Sequence, residues 1–367
     1  MHIFGMHILD ALLIVAYFIG VFWIAFRISK RITGTKEYFL AGRKMGRFYQ
    51  FFLNFGAATD ASQAAAVSRE IYRQGIAGMW IQYIVLFLTP FYWFTALLFR
   101  RVRLTTIGDY FEERFDSRFL GSAYAVFAIV LSLLTGAMGY LVSAKTFMAL
   151  TPKPFAEYSI EERLSVEQYK EYQELHNAYL NNALESGQAS RYETLKSLNN
   201  QGKLNAFISY TNPTLFYLIY ATCVCLYVML GGFEAAAVTD ALQGVLMIFF
   251  SLLLVPFGLY AIGGFSGLHE KVPEHMFWLF GTETLSEYAW YTIAAMALAN
   301  LVSIVAVAPN MQTIGSAKDE GTARFGNIGG MMLKRLMMIF WALAGLIAVG
   351  LYAGELSDPD LAWGHMT

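Results

Sequence analysis

Eight stretches of nearly continuous apolar residues, at positions 8–26, 48–67, 76–99, 119–150, 215–230, 242–262, 288–308 and 336–353, constrain this chain more than any other feature. A helix needs roughly 20 mostly apolar residues to cross the hydrocarbon core. In lipid the backbone must satisfy its own hydrogen bonds, and none of these stretches shows the period-two alternation of a barrel strand, so they read as helices. Only 14% of the 367 residues are charged, where a soluble domain carries about a quarter. The expected class is an all-α, polytopic membrane protein with about eight transmembrane helices.

Orientation follows from where Lys and Arg fall. Most of the 26 basic residues lie after the odd-numbered stretches: Arg27 to Arg47, then Arg100, Arg101, Arg103, Arg114 and Arg118, then Lys318, Arg324, Lys334 and Arg335. These segments are assigned to the inside, which leaves the N-terminus outside. The first stretch has its basic cluster after it and none before, the reverse of a signal peptide, so it is expected to be retained. Together these features give a multi-pass protein of the inner (plasma) membrane, embedded in a lipid bilayer. The basic segments carry no nucleic-acid motif, so no nucleic-acid partner is expected.

Residues 151–212 break the apolar pattern and read as an extracytoplasmic insertion. A capping box at Ser165 to Gln168, with an apolar stripe through Val166, Tyr169, Tyr172, Leu175 and Tyr179, predicts a soluble helix or hairpin. TTIGDYFEERF (105–115) is too short and too charged to span and is expected to lie on the inner surface. Cys223 and Cys225, two apart in one helix, face different directions and form no metal pair. Lys145, near the outer end of its stretch, can snorkel to the interface. The six histidines are scattered in termini and loops. With no nucleophile motif or phosphate loop either, no enzyme is indicated.

Two stretches carry polar groups at mid-membrane depth. In FLNFGAATDASQAAAVS (52–68) these are Gly56, Thr59, Asp60, Ser62 and Gln63. An Asp at the bilayer centre costs on the order of 2.5–3.5 kcal/mol. Small residues beside hydrogen-bonding side chains suit a locally unwound helix, whose freed carbonyls can hold a cation. A break near residues 58–62 is therefore predicted, with Asp60 either near the ion or capping the second half-helix, Gln63 completing a capping box. NLVSIVAVAPNMQ (300–312) contains Asn300, Ser303, Asn310 and Gln312, and Pro309 disfavours helix at Ala308. It reads either as a second break or as the inner end of a helix. Two interrupted spans in corresponding positions are the pointer to inverted-repeat transporters.

Four motifs in order, KEYFLAGRKMG (36–46), TTIGDYFEERF (105–115), GGFEAAAVTDALQG (231–244) and SAKDEGTARFG (316–326), resemble the sodium/solute symporter family of sodium/glucose, proline and pantothenate carriers. The resemblance implies a leucine-transporter-like inverted-repeat fold. Residues 1–48 would hold an extra N-terminal helix and a cytoplasmic loop. Residues 49–262 would form the first five-helix repeat, with the insertion at 151–212, and 288–354 the first two helices of a truncated second repeat, as in an N-terminal fragment of a longer carrier. It implies Na+ as the coupling ion, bound at Ala58, Ala61 and Asp60, and symport of a small organic solute. Gln63, Asn300 and Ser303 are expected to face that solute. Sugar carriers have a Glu-Gln pair just after the break where this chain has Ala64 and Ala65, which argues against a sugar. The rival expectations are a proton-coupled carrier of the same fold and a symporter-like sensory module.

Overall fold

The computed structural model describes residues 2–3, 5–59, 61–180, 187–281, 287–303, 309–352, 356 and 359–366. A crossing helix α1 (Ile8–Ser29) is followed by the short α2 (Thr35–Leu40). The second crossing is made of α3 (Arg47–Ala57) and α4 (Ala61–Gln74). The third runs through 3₁₀ turns Gly75–Met79 and Ile84–Phe91 around α5 (Trp80–Tyr83) into α6 (Tyr92–Val102). Next come α7 (Ile107–Phe115), α8 (Arg118–Ala149), the paired α9 (Ile160–Leu180) and α10 (Ala189–Asn200), α11 (Pro213–Ile262) and α12 (Gly264–Lys271). The described chain ends with α13 (Trp290–Ser303), α14 (Pro309–Gly315), α15 (Glu320–Tyr352) and α16 (Ala362–Met366).

Five helical stretches among the described residues are long and apolar enough to cross a membrane: Ile8–Ser29, Ser62–Val102, Arg118–Ala149, Pro213–Ile262 and Glu320–Tyr352. Two of them are double. Ser62–Val102 divides at Gly75, whose φ of +71 suits glycine and where a β-carbon would lie 2.5 Å from the Met276 backbone. The 50-residue α11 divides at Gly232 (φ 58, ψ −156), which lets the Tyr38 carbonyl approach to 2.7 Å from where a β-carbon would sit. Leu13 and Leu133, each about 70% exposed, lie on apolar faces of membrane-length helices, as lipid-facing residues do.

The last crossing departs from expectation. The sequence puts its start at residue 336 and Lys334 and Arg335 in the preceding loop, yet α15 begins at Glu320 and both residues are buried in it, 6% and 3% exposed. The cause is close packing of two backbones. Gly326 and Gly330, four apart on one face of α15, meet α3 so tightly that β-carbons there would lie 2.6 Å from Gln50 Cβ and the Phe51 carbonyl oxygen. Small residues that let membrane helices touch in this way carry little hydropathy of their own.

The insertion is a helical hairpin. Tyr172 on α9 packs against Tyr192 and Leu195 on α10, with Tyr172 and Tyr192 stacked at 6.1 Å. Its capping box is Ser159–Glu162 rather than the Ser165 box: Glu162 N donates to Ser159 Oγ at 3.2 Å and Ser159 N to Glu162 Oε2 at 2.7 Å. Ser165 lies inside α9 and instead donates to the Lys203 carbonyl at 2.9 Å. The Lys153 ammonium, with the Ser159 N–H, holds the Glu162 carboxyl below its ordinary pKa. The base is closed by Lys153 N donating to Ile208 O and Tyr210 N donating to Thr151 O. The 105–115 motif forms the short helix α7, capped by Thr106 and Asp109.

Candidate ion and solute site

The second crossing is broken where its sequence demands it. α3 ends at Ala57, Ala58 caps it with its N–H turned back to Phe55 O and Gly56 O, and helix resumes at Ala61. Thr59, 5% exposed, turns its N–H to Gly56 O at 3.0 Å, while its Oγ1 is buried with no partner among the described residues. Asp60 lies outside the described residues. Ala61 opens α4.

At this break the structure supplies a cation that the sequence reading had placed in a loop. The Lys334 ammonium donates to the Ala58 carbonyl and, at 3.4 Å, to Gln63 Oε1. Ala58 and Gln63 are thereby brought together by one side chain of α15. Signals for it existed in the sequence: Lys334 follows GGMML (329–333) and has no loop-forming residue between it and the apolar stretch.

The other predicted residues come from α13. Asn300, half-buried, donates to Met296 O at 2.9 Å; its neighbour Leu301 packs in one cluster with Ala58, Leu88, Tyr92 and Met331. That cluster brings the first break, the end of α13, the third crossing and α15 to one place. Ser303 is the last residue of α13, and of its side chain the structure describes nothing. The second predicted interruption falls partly outside the described residues: α13 ends at Ser303, 304–308 lie outside, and α14 opens at Pro309. Proline fits a first helical position, where its missing N–H leaves no gap.

On the α3 side of the break a set of polar groups ties α3 to residues 313–318. Gln50, fully buried, donates through Nε2 to Thr313 O at 2.9 Å and Ser316 Oγ at 2.7 Å; Asn54 Nδ2 donates to Gln50 O at 2.7 Å and to its Oε1 at 3.2 Å. Met45 pairs with Ala317, through Met45 N donating to Ser316 O and Lys318 N donating to Met45 O. Arg43 closes the edge, donating to Gly315 O at 3.2 Å and Arg103 O at 2.6 Å. Burial and the neighbouring Arg100 and Arg103 pull its guanidinium pKa down from the ordinary value.

A broken crossing, a buried cation at the break and a polar clamp beneath it define a multi-pass helical membrane protein of the transporter class. The chain belongs to the sodium:solute symporter family, whose model matches residues 38–152 and 207–359 and passes over most of the hairpin. It is 26% identical over 264 residues to the sodium/pantothenate symporter of Escherichia coli, covering 69% of this chain and 42% of that protein. It is 27% identical over 184 residues to sodium/glucose cotransporter 4 of Mus musculus, covering 41% of this chain and 25% of that protein. The chain thus spans less than half the length of both relatives. A solved Na+-coupled sialic acid symporter in a substrate-bound outward-open state superposes with a TM-score of 0.62 over 98% of this chain and 66% of the other, at 14% identity. The all-α, leucine-transporter-like fold expected from the motifs stands, and the family is one of transporters rather than enzymes.

Proposed function

We propose that the protein is a sodium-coupled symporter of a small organic solute in the cytoplasmic membrane, with its N-terminus outside. The observation that carries this reading is the Ala58 carbonyl, which receives an ammonium inside the membrane. An oxygen that stabilises an amine cation at that depth is chemically suited to sodium, a hard cation held by oxygen ligands. Ala61 and Asp60 would complete the ion's surroundings, and Gln63, Asn300 and Ser303 would face the solute. The relatives support the ion, since each is named for sodium, and they name pantothenate, glucose and sialic acid among the solutes. Ala64 and Ala65, 2% and 3% exposed, leave the position of the sugar carriers' polar pair apolar and inside the core.

Coupling in such a carrier requires that sodium and solute favour the same member of two conformations. The tied inner half is the element that must open for inward release, so Gln50 and Met45 would lose their α14 and 316–318 partners in each cycle.

Uptake into proteoliposomes, with sodium replaced by choline at fixed pH, tests the reading. Sodium-dependent uptake is expected, and uptake driven by a proton gradient in choline would replace sodium by protons as the coupling ion. Lys334→Met removes a tethered competitor from the Ala58 carbonyl, so half-saturation should need about tenfold less sodium, some 1.4 kcal/mol. An unchanged sodium dependence in that variant would detach the ion from this carbonyl.

A further inference from the structure

Arg335 lies one residue beyond Lys334 but faces another way. It is 3% exposed, its Nε is buried without a partner among the described residues, and its Nη1 donates to the Met338 thioether at 3.8 Å. It sits within electrostatic reach of the Tyr83 and Tyr92 phenols, and no carboxylate among the described residues pairs with it. The same face of α15 carries Met331, packed with Leu88 and Tyr92 beside Ala58 and Leu301, and Asn327, whose Oδ1 is likewise buried without a partner. The guanidinium therefore lies next to the place where the break, the third crossing and the end of α13 converge.

A guanidinium does not shed its proton in a protein, and an uncompensated charge buried in a membrane protein is costly. A thioether is a weak acceptor. An apolar side chain of similar length would serve packing better, so the position makes sense when an anion arrives during the cycle. The planar donor fork matches a carboxylate with two parallel hydrogen bonds. A carboxylate that enters with one sodium forms a neutral pair, which also lowers the cost of moving either charge through the membrane.

We infer that the solute carries a carboxylate and that the Arg335 guanidinium receives it; this deepens the symport reading and rests on it. The substrate class is then an organic acid rather than a sugar or polyol.

The test uses the protein expressed from its complete gene, in nanodiscs, and reads the thermal unfolding midpoint with matched probes: pantothenate against panthenol, N-acetylneuraminate against its methyl ester, and glucose. At least one acid should raise the midpoint while its neutral partner does not. Arg335→Gln should weaken that acid's binding by at least about thirtyfold and leave the unliganded midpoint equal or higher, whereas Arg335→Lys should recover part of the binding. Equal stabilisation by the neutral member of a pair, retention of the acid's effect in Arg335→Gln, stabilisation by no acid, or a lowered unliganded midpoint in Arg335→Gln would each overturn the inference. Repeating the titration in choline separates the two proposals. An acid bound through Arg335 equally well without sodium keeps this inference and sinks sodium coupling; a neutral solute bound only in sodium does the reverse.

Discussion

The clamp between α3 and residues 313–318 and the region around the break both bury polar groups but treat them differently. Asn54 donates twice to Gln50, and Gln50 in turn donates to Thr313 and Ser316 across the helix interface. Around the break, Thr59 Oγ1 and Arg335 Nε are buried with no hydrogen-bond partner among the described residues, as are Asn327 Oδ1 and Thr322 Oγ1 nearer the clamp along α15. A satisfied network rigidifies and specifies one arrangement, whereas an unsatisfied one is costly until something completes it. Gln50 and Asn54 are therefore read as structure, and Thr59 and Arg335 as positions left for a bound species to complete.

If that division is right, damage to the clamp should cost stability and damage to the midplane should cost function. The largest effect is expected from Gly330→Val. A β-carbon there would stand 2.6 Å from the Phe51 carbonyl oxygen and 2.7 Å from the Phe55 nitrogen, both backbone atoms that cannot swing aside. Forced separation of α3 from α15 should cost about 3 kcal/mol or more, at the upper end of overpacking penalties, and is read as loss of monodisperse protein in detergent. A well-behaved variant would show that the two helices are not held at backbone contact.

Next in size is Gln50→Leu. It removes the bonds from Gln50 to the Thr313 carbonyl and the Ser316 hydroxyl and one acceptor of the Asn54 amide inside a buried interface, at about 1–3 kcal/mol. A lower unfolding midpoint with unchanged sodium and solute affinity would place Gln50 in the clamp. An altered sodium requirement at unchanged stability would erase the distinction between the two regions.

Hydropathy made most of the crossings legible, because lipid-facing helices such as α1 and α8 must be apolar almost all round. The break was legible too, since Gly56, Thr59 and Asp60 have no business in an unbroken apolar rod. The beginning of α15 was not. A Lys-Arg pair ahead of an apolar run reads as a membrane boundary, and the glycines at 326 and 330 look like loop residues until their packing against α3 is seen. That single misreading moved the two cations nearest the site into the cytoplasm, and it also added them to the inside tally, which still rests on Arg27 to Arg47 and Arg100 to Arg118. The insertion shows a milder version: a hairpin was legible from its stripe of tyrosines, but Ser159 rather than Ser165 opens it, because Glu162 answers Ser159 and Lys153 holds Glu162 in place.

The smallest change in stability, and the sharpest test of the contrast, is expected from Thr59→Val. Valine keeps the branched shape of threonine and removes only the hydroxyl, which in this structure makes no hydrogen bond. Replacing an unpartnered buried hydroxyl by a methyl is close to neutral for folding, within about 0.5 kcal/mol. If the hydroxyl is held open for the ion beside the Ala58 carbonyl, the sodium concentration at half-saturation should rise several-fold while the unfolding midpoint stays put. A midpoint that falls with no change in sodium dependence would mean the hydroxyl is satisfied in a conformation other than this one, and that the midplane is no more receptive than the clamp.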